Sequence, residues 1–140
     1  AYEVITLDNS YQQIGMGMVG ELNTAMGEGD FLRFVKERMK CGNIRHSELL
    51  GKKVKKVAVL GGSGAFAIDA AKAAGADFFL TGDIKYHQFY QAEGKMVLAD
   101  IGHYESEQFT KNLLAEYLTK KIPNFAVRLS EINTNPIKYF

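Results

Sequence analysis

An imidazole and a carboxylate one helical turn apart have the residue types and the spacing that bind metal ions. His103 and Glu107 lie four positions apart, at the start of a segment whose apolar residues recur with helical spacing. Side chains four residues apart share one face of a helix, and imidazole nitrogen and carboxylate oxygen both bind divalent ions. The spacing therefore predicts that His103 and Glu107 hold one metal ion between them.

The position of this pair at a helix start allows a second interpretation. Glu105 and Glu107 also complement the positive end of the helix dipole, and His103 is then a residue near the cap with no ligand role. The same dipole disfavours an imidazolium, so we expect His103 to be neutral, which is the form that binds metal. Spacing alone does not decide between the two interpretations.

A second carboxylate and imidazole repeat the pattern. Asp83 and His87 are four positions apart at another predicted helix start, in the preceding strand–helix unit. Ligands gather at the carboxyl ends of the strands in open α/β sheets, so both pairs are expected at the same edge of a sheet. His46, which follows Arg45 in a predicted loop, shares none of this context and is expected on the surface.

Alternating strands and helices must position these two pairs. Apolar runs of strand length alternate with segments of helical period, which predicts an α/β fold with a mostly parallel or mixed sheet and helices on both faces. Residues 2–7 have strand composition, and a helix is expected from Asp30 to a stop at Gly42. The later predicted strands cover residues 57–60, 77–80, 96–99 and 125–129, and the later helices cover residues 64–74, 84–92 and 103–121.

The glycine-rich turn after the strand at 57–60 supports a different function. Residues 62–67 (GSGAFA) fit the pattern G-x-G-x-x-A between a strand and a helix. Asp83 follows about 20 residues later, where a dinucleotide-binding site has its ribose-binding acid. A dinucleotide site is therefore an alternative hypothesis. The remaining interpretation is a tight strand-to-helix turn whose glycines allow close packing.

Composition bounds the class of protein. The chain has 140 residues, of which 46% are hydrophobic and 24% charged, and its net charge is +1, as expected of one globular domain. No apolar run approaches the roughly 18 residues of a membrane span, so no membrane partner is expected. The lysines at 52, 53, 55 and 56 lack an aromatic platform, so nucleic acid is an unlikely partner. The single cysteine, Cys41, excludes an internal disulfide and fits the reducing cytoplasm.

Three motifs in order resemble those of a known family. Residues 61–64 (GGSG), 81–87 (TGDIKYH) and 100–107 (DIGHYESE) resemble the C-terminal part of the Nif-three-like family, dinuclear-metal proteins often labelled "GTP cyclohydrolase I type 2 homologue". The resemblance covers residues 57–140, including the closing NTNPI at 133–137. Three motifs at this spacing are far more specific than any one of them.

The resemblance implies both a metal site and an assembly. His103 and Glu107 match metal ligands of the family, while Asp83 and His87 match a motif near the site and are expected in a catalytic or ligand-orienting role. The cofactors implied are divalent metal ions, which are zinc, manganese or iron. Family members form toroidal homohexamers, so a homo-oligomer acting on a small-molecule substrate is expected.

One departure from the family concerns the rest of the metal site. The other ligands of the family are an adjacent His-His pair and an aspartate from an N-terminal half, and this chain has no His-His dipeptide. Residues 1–22 resemble the end of a PII-like domain that some members carry as an insertion, and residues 23–140 the C-terminal part of the α/β domain. The chain, which begins at Ala1, is therefore expected to be a portion of such a protein.

These observations give three functional hypotheses. The first is a metal-dependent hydrolase in which bound ions activate water towards a phosphate or amide-like bond. The second is the dinucleotide-binding domain. The third is a non-catalytic scaffold or interaction protein in which the metal is structural.

Overall fold

One mixed sheet organises the chain. The computed structural model describes residues 2–6 and 15–139. Its strands are β1 (Tyr2–Thr6), β2 (Gly15–Gly27), β3 (Arg45–His46), β4 (Lys53–Ser63), β5 (Phe78–Gly82) and β6 (Val97–Asp100), in the spatial order β1-β2-β4-β5-β6-β3. The helices are α1 (Glu28–Met39), α2 (Ile68–Ala73), α3 (His103–Glu107) and α4 (Thr110–Lys121), with 3-10 helices at Ala65–Ala67 and Tyr86–Ala92.

The centre of the sheet is parallel. Strands β4, β5 and β6 run in the same direction, with Val57 opposite Phe78 and Phe78 opposite Val97. The other pairings, β1 with β2, β2 with β4 and β3 with β6, are antiparallel. The carboxyl ends of β4, β5 and β6 therefore meet at one edge, and the predicted mixed α/β sheet is confirmed.

Both faces of the sheet are covered by helices, as predicted. Adjacent residues of a strand point to opposite faces, and Phe78 and Phe79 are both fully buried. Phe79 belongs to the cluster that includes residues of α2 and of the 3-10 helix Tyr86–Ala92. Phe78 belongs to the cluster on the α1 side, where its ring meets Phe31 edge-on at 4.9 Å between ring centroids.

Three predicted elements after β5 differ from the structure. The helix predicted over 84–92 is a 3-10 helix, Tyr86–Ala92. The helix predicted over 103–121 is two helices, α3 and α4, and the Gln108 side chain between them donates a 2.7 Å hydrogen bond to the Met39 carbonyl. The segment predicted as a strand over 125–129 is not one, because β3 occupies the place beside β6 in the sheet.

The boundaries of α1 also differ from the prediction. The helix begins directly after β2, with Gly27 at its N-cap, and ends at Lys40, whose φ of 52° is left-handed. Asp30 is therefore inside the first turn, where its carboxylate pairs with Arg33 at 2.5 Å. Glu28, the first residue of the helix, is buried, and its carboxylate accepts the backbone N–H groups of Leu50 and Gly51, both at 2.9 Å, which anchors the helix start to that segment.

The N-terminal part joins the same sheet. β2 runs through residue 22 without interruption and pairs with β4, with a shift of register between Glu21 and Met26. The predicted division of the chain after residue 22 stays a prediction, and the break predicted at residues 8–10 lies outside the described residues. Among the helices of the described residues, none is long and apolar enough to span a membrane.

Candidate metal centre

A row of three polar side chains lies at the carboxyl edge of the sheet. His103 is its central member, with Nδ1 2.6 Å from Asp83 Oδ2 and Nε2 3.4 Å from Glu107 Oε2. All three side chains are about half exposed, at 48% for Asp83, 47% for His103 and 53% for Glu107. The prediction that His103 and Glu107 face one another across a helical turn agrees with this geometry.

The row forms because two neighbouring strands end side by side. Asp83 is the first residue after β5, and His103, the third residue after β6, opens α3. A Cβ atom at Gly82 would lie 2.9 Å from the backbone nitrogen of His103, so only glycine at this position lets the end of β5 approach the start of α3. Asp83 itself has a left-handed φ of 58°, which directs the chain out of the sheet.

The two ring nitrogens of His103 face different carboxylates, and this gives the carboxylates different roles. An ionised carboxylate can only accept a hydrogen bond, so the close contact with Asp83 requires a proton on Nδ1. In the neutral ring, Nε2 then carries the lone pair and faces Glu107. Two donors bound tetrahedrally to one zinc ion at about 2.0–2.1 Å lie about 3.3 Å apart, close to the observed 3.4 Å between Nε2 and Oε2.

The pKa of His103 in the metal-free chain shifts in the direction opposite to the expected one. Its hydrogen bond with Asp83 raises the pKa of His103, and the negative charges of Asp83 and Glu107 add to that effect. The helix dipole was expected to favour the neutral ring. α3 has only five residues, and two adjacent carboxylates outweigh the dipole of so short a helix.

A cavity of about 620 Å³ opens beside the row. Its lining includes the three residues of the row together with Gln108, Lys111 and Ile137. Lys111 lies in the first turn of α4, and its ammonium group donates to the Ser130 carbonyl at 3.1 Å. The row therefore faces a space large enough for a small molecule.

The other predicted or acidic residues near the edge lie apart from the row. His87 is exposed on the 3-10 helix after Asp83, with its ring edge-on to Tyr86 at 5.1 Å, and the structure does not bring it to His103. His46 is exposed on β3, the short edge strand. Glu105 is buried and accepts a hydrogen bond from Asn135 at 3.1 Å. Across residues 15–139, no three His, Cys, Asp or Glu residues are arranged to hold one metal ion.

The glycine-rich turn lies under α3 instead of facing an open groove. The Gly62 N–H donates to Ser106 Oγ at 2.8 Å, and a Cβ atom at Gly62 would lie 2.6 Å from Glu107 Oε1. A Cβ atom at Gly64 would lie 2.2 Å from Thr81 Oγ1. The Gly62 N–H is thus already bonded and the space over Gly62 and Gly64 is filled, whereas a pyrophosphate needs free N–H groups and close approach, which disfavours the dinucleotide hypothesis. Sequence reasoning missed Ser106, although it lies in the same motif as His103.

The fold and the row together define an α/β protein with an imidazole–carboxylate pair at the carboxyl edge of its sheet. The profile of one family, Duf34/NIF3 (NGG1p interacting factor 3), matches residues 2–136. The chain belongs to this family, as its motifs predicted.

Relatives and solved structures agree with this assignment. A Staphylococcus epidermidis protein named "GTP cyclohydrolase 1 type 2 homolog" is 37% identical over 135 residues, covering 94% of this chain and 37% of the relative. The crystal structure of a Bacillus cereus protein related to NIF3 aligns with a TM-score of 0.78 at 34% identity, covering 96% of this chain and 38% of that one. A Staphylococcus aureus crystal structure aligns with a TM-score of 0.79 at 32% identity, over 92% and 44% of the two chains. The chain thus spans well under half the length of these proteins.

Proposed function

We propose that His103 and Glu107 bind a divalent metal ion, that Asp83 orients His103, and that the chain is part of a metal-dependent hydrolase. The observation that supports the proposal is the 3.4 Å separation of His103 Nε2 from Glu107 Oε2, with Nδ1 held by Asp83 on the opposite side of the ring. Ligating histidines commonly donate their second N–H to a carboxylate, which fixes the tautomer and the ring orientation.

The two donors fit part of a metal's coordination shell. Nitrogen and oxygen donors suit zinc, manganese and iron alike, and the remaining positions fall to water or to residues outside residues 15–139. The resemblance to the Nif-three-like family assigns the missing ligands to an N-terminal half, and the matched relative is longer than this chain. We propose that the complete centre is dinuclear and that this chain alone binds metal weakly.

In the proposed hydrolysis, the metal ion and the protein have different roles. A bound divalent ion lowers the pKa of water and polarises a phosphate or amide-like bond. In the neutral ring Asp83 keeps the proton on Nδ1, so that Nε2 carries the lone pair for binding. The name of the relatives suggests a purine-nucleotide substrate, although no residue of the row selects a base. The catalytic role predicted for His87 stays a prediction.

Metal titration tests the proposal directly. Isothermal titration of zinc or manganese into the chain should show saturable binding, and the double variant His103→Ala, Glu107→Ala should lose most of it. The matched control is His46→Ala with Glu116→Gln, because it removes an exposed imidazole and an exposed carboxylate away from the row. Equal stoichiometry in the two double variants would refute the assignment.

The enzymatic part of the proposal has its own test. Because this chain holds only part of the proposed centre, a longer relative that is loaded with zinc or manganese should hydrolyse at least one member of a panel of phosphodiester, nucleotide and amide substrates. Metal binding without turnover, in this chain and in a longer relative, would favour the scaffold hypothesis. Saturable enhancement of NADH fluorescence that is lost in Gly62→Val would favour the dinucleotide hypothesis instead.

The exposed face of α4 supports a proposal about the assembly. α4 buries none of its residues, and it exposes Leu113, Leu114 and Tyr117 by more than half. An apolar helix face of this kind is suited to a subunit contact, which supports the homo-oligomer, a hexamer by resemblance. Sedimentation equilibrium of the chain and of Leu114→Glu tests this, with a smaller mass expected for the variant. The cytoplasmic location stays a prediction from composition.

A further inference from the structure

A buried carboxylate lies directly behind the row. Asp100 ends β6, and only 5% of it is exposed. Its Oδ1 accepts the Gly102 N–H at 3.0 Å, and its Oδ2 accepts the Ile84 N–H at 2.9 Å. One side chain thus joins the loops that follow two different strands.

These two amides are next to the two residues that form the short contact of the row. Ile84 directly follows Asp83, and Gly102 directly precedes His103. Both turns need a positive φ, 58° at Asp83 and 91° at Gly102, and a positive φ is strained for a residue with a Cβ atom. The hydrogen bond to the next amide holds Asp83 in that conformation.

Arg45 compensates the buried charge of Asp100. It lies opposite Asp100 in the pairing of β3 with β6, and its guanidinium donates both to Asp100 Oδ2 and, at 2.8 Å, to the Ile84 carbonyl. The guanidinium also lies 5.6 Å from the centre of the Phe89 ring. A buried carboxylate is stable when it is paired and hydrogen-bonded in this way, so the unit is a fixed part of the fold.

We propose that Asp100, supported by Arg45, is the positioning residue of the site. It fixes the turn at 82–84 relative to the turn at 101–103, so that Asp83 meets Nδ1 of His103 and Nε2 is left for Glu107. Asp100 is buried behind the row and does not line the cavity. The part of the inference that concerns metal affinity rests on the proposed function, whereas the part that concerns the tautomer of His103 does not.

The tautomer is measured in the metal-free chain. Nitrogen-15 NMR at a pH of about 9, well above the ordinary histidine pKa of about 6.5, should show the His103 proton on Nδ1 in the wild type. Asp100→Asn keeps the size but replaces one acceptor oxygen with an N–H donor, which then opposes the backbone N–H of either Ile84 or Gly102. We expect the His103 shifts in this variant to move towards the tautomer mixture of an unconstrained histidine.

Asp77 provides a matched control at the opposite edge of the sheet. Its Oδ2 accepts the backbone N–H groups of Lys55 and Lys56, both at 2.8 Å, just before β5 begins. Asp77→Asn therefore removes the same kind of backbone hydrogen bonds and should destabilise the fold, while the His103 shifts stay those of the wild type. Wild-type shifts in Asp100→Asn as well would overturn the proposal.

Zinc titration provides a second measurement. Loss of a residue that orients a ligand typically weakens metal binding 10- to 100-fold, and we expect this for Asp100→Asn but not for Asp77→Asn. If the wild type binds no zinc, the proposed function fails, and the shifts of the metal-free variants still decide whether Asp100 positions His103.

Arg45→Gln covers the case in which Asp100→Asn does not fold. Arg45→Gln removes both bonds of the guanidinium and leaves the Asp100 charge uncompensated, which lowers stability. The Arg45 side chain is 58% exposed, so water can reach the place that it leaves, and we expect this variant to fold. We expect smaller shifts of His103 in the same direction. A folded Arg45→Gln with wild-type shifts, together with an unfolded Asp100→Asn, would assign Asp100 to stability alone and overturn the proposal.

Discussion

The hydroxyl of Ser106 accepts the backbone N–H of Gly62 at 2.8 Å. The same hydroxyl donates to the His103 carbonyl at 2.7 Å, so one side chain connects the glycine-rich turn after β4 to the first turn of α3. The glycine-rich turn therefore supports α3, the helix that carries His103 and Glu107. A sequence pattern typical of phosphate binding serves here to support a helix.

Because the glycine-rich turn supports α3, a substitution at Gly62 should change zinc binding by His103 and Glu107. A Cβ atom at Gly62 would lie 2.6 Å from Glu107 Oε1, so Gly62→Ala should displace Glu107 from His103. We expect zinc affinity to fall by about 10-fold, the lower end of the effect of losing a ligand's orientation. Isothermal titration with zinc measures this loss.

Gly75 provides a control that separates the effect of the contact with Glu107 from the effect of backbone strain. Its φ of 70° equals that of Gly62, but no atom lies within 4 Å of its Cβ position. Gly75→Ala should lower the unfolding free energy by about 1 kcal/mol, as Gly62→Ala does through the same strain, and should leave zinc affinity unchanged. Equal zinc affinities in Gly62→Ala and Gly75→Ala would contradict the proposed support of α3 by the glycine-rich turn.

The raised pKa of His103 predicts how stability depends on pH in the metal-free chain. The folded chain holds this proton more tightly than the unfolded chain because of the hydrogen bond with Asp83 and the nearby carboxylate charges. The resulting stabilisation is complete below the ordinary pKa of about 6.5 and is lost as the pH rises through the raised value. Urea unfolding across this range should show the unfolding free energy falling with pH. The effect should be small because the pair is half exposed.

Asp83→Asn tests the cause of that slope. Without the carboxylate, the pKa of His103 loses its largest raising influence. The fall in unfolding free energy as the pH rises above the ordinary histidine pKa of about 6.5 should therefore shrink. His46→Gln, which removes an exposed histidine outside the row, should keep the wild-type slope. A slope that is the same in Asp83→Asn and the wild type would rule out the pair as its origin.

The sequence predicted the centre of the fold better than its edges. Apolar runs such as 96–99 mark the central strands because these are buried on both faces, and β6 is displaced from its prediction by one residue. The run at 125–129 has similar composition, yet Phe125 is 63% exposed. Whether a strand forms there depends on a free place in the sheet, and composition does not contain that information.

The sequence predicted the pair of His103 and Glu107, but it did not predict that Asp83 would contact His103. The spacing of His103 and Glu107 predicted their approach because helix geometry alone sets it. The contact between Asp83 and His103 joins residues from two strand ends 20 positions apart, and it depends on the register of β5 with β6. His87 has the same local spacing from Asp83, but the 3-10 geometry of its segment and its packing on Tyr86 place it elsewhere.

Glu28 should be a strong contributor to stability. It is 8% exposed, and its two carboxylate oxygens accept the Leu50 and Gly51 amides at 2.9 Å each. Glu28→Ala removes the acceptor of both amides. Leu50 is half-buried and Gly51 is exposed, so water can reach the Gly51 amide, and the unfolding free energy should fall by about 1–3 kcal/mol. Glu28→Gln, with one acceptor oxygen, should lose roughly half of that. Glu37→Ala, an exposed position on the same helix, should change the urea midpoint little, and a comparable loss there would contradict this role.

Cys41 should be unreactive in the folded chain. The side chain is 6% exposed, and burial, with a further contribution from the negative charge of Glu105, raises the pKa of its thiol to about 11. The thiolate is the reactive form, so at pH 8 native Cys41 should react with Ellman's reagent at least about 100-fold more slowly than a free thiol with a pKa of about 8.5. Reaction in urea should restore the rate of an exposed cysteine, and Cys41→Ser should abolish the signal under both conditions. A native rate close to the rate in urea would show that the loop after α1 opens readily.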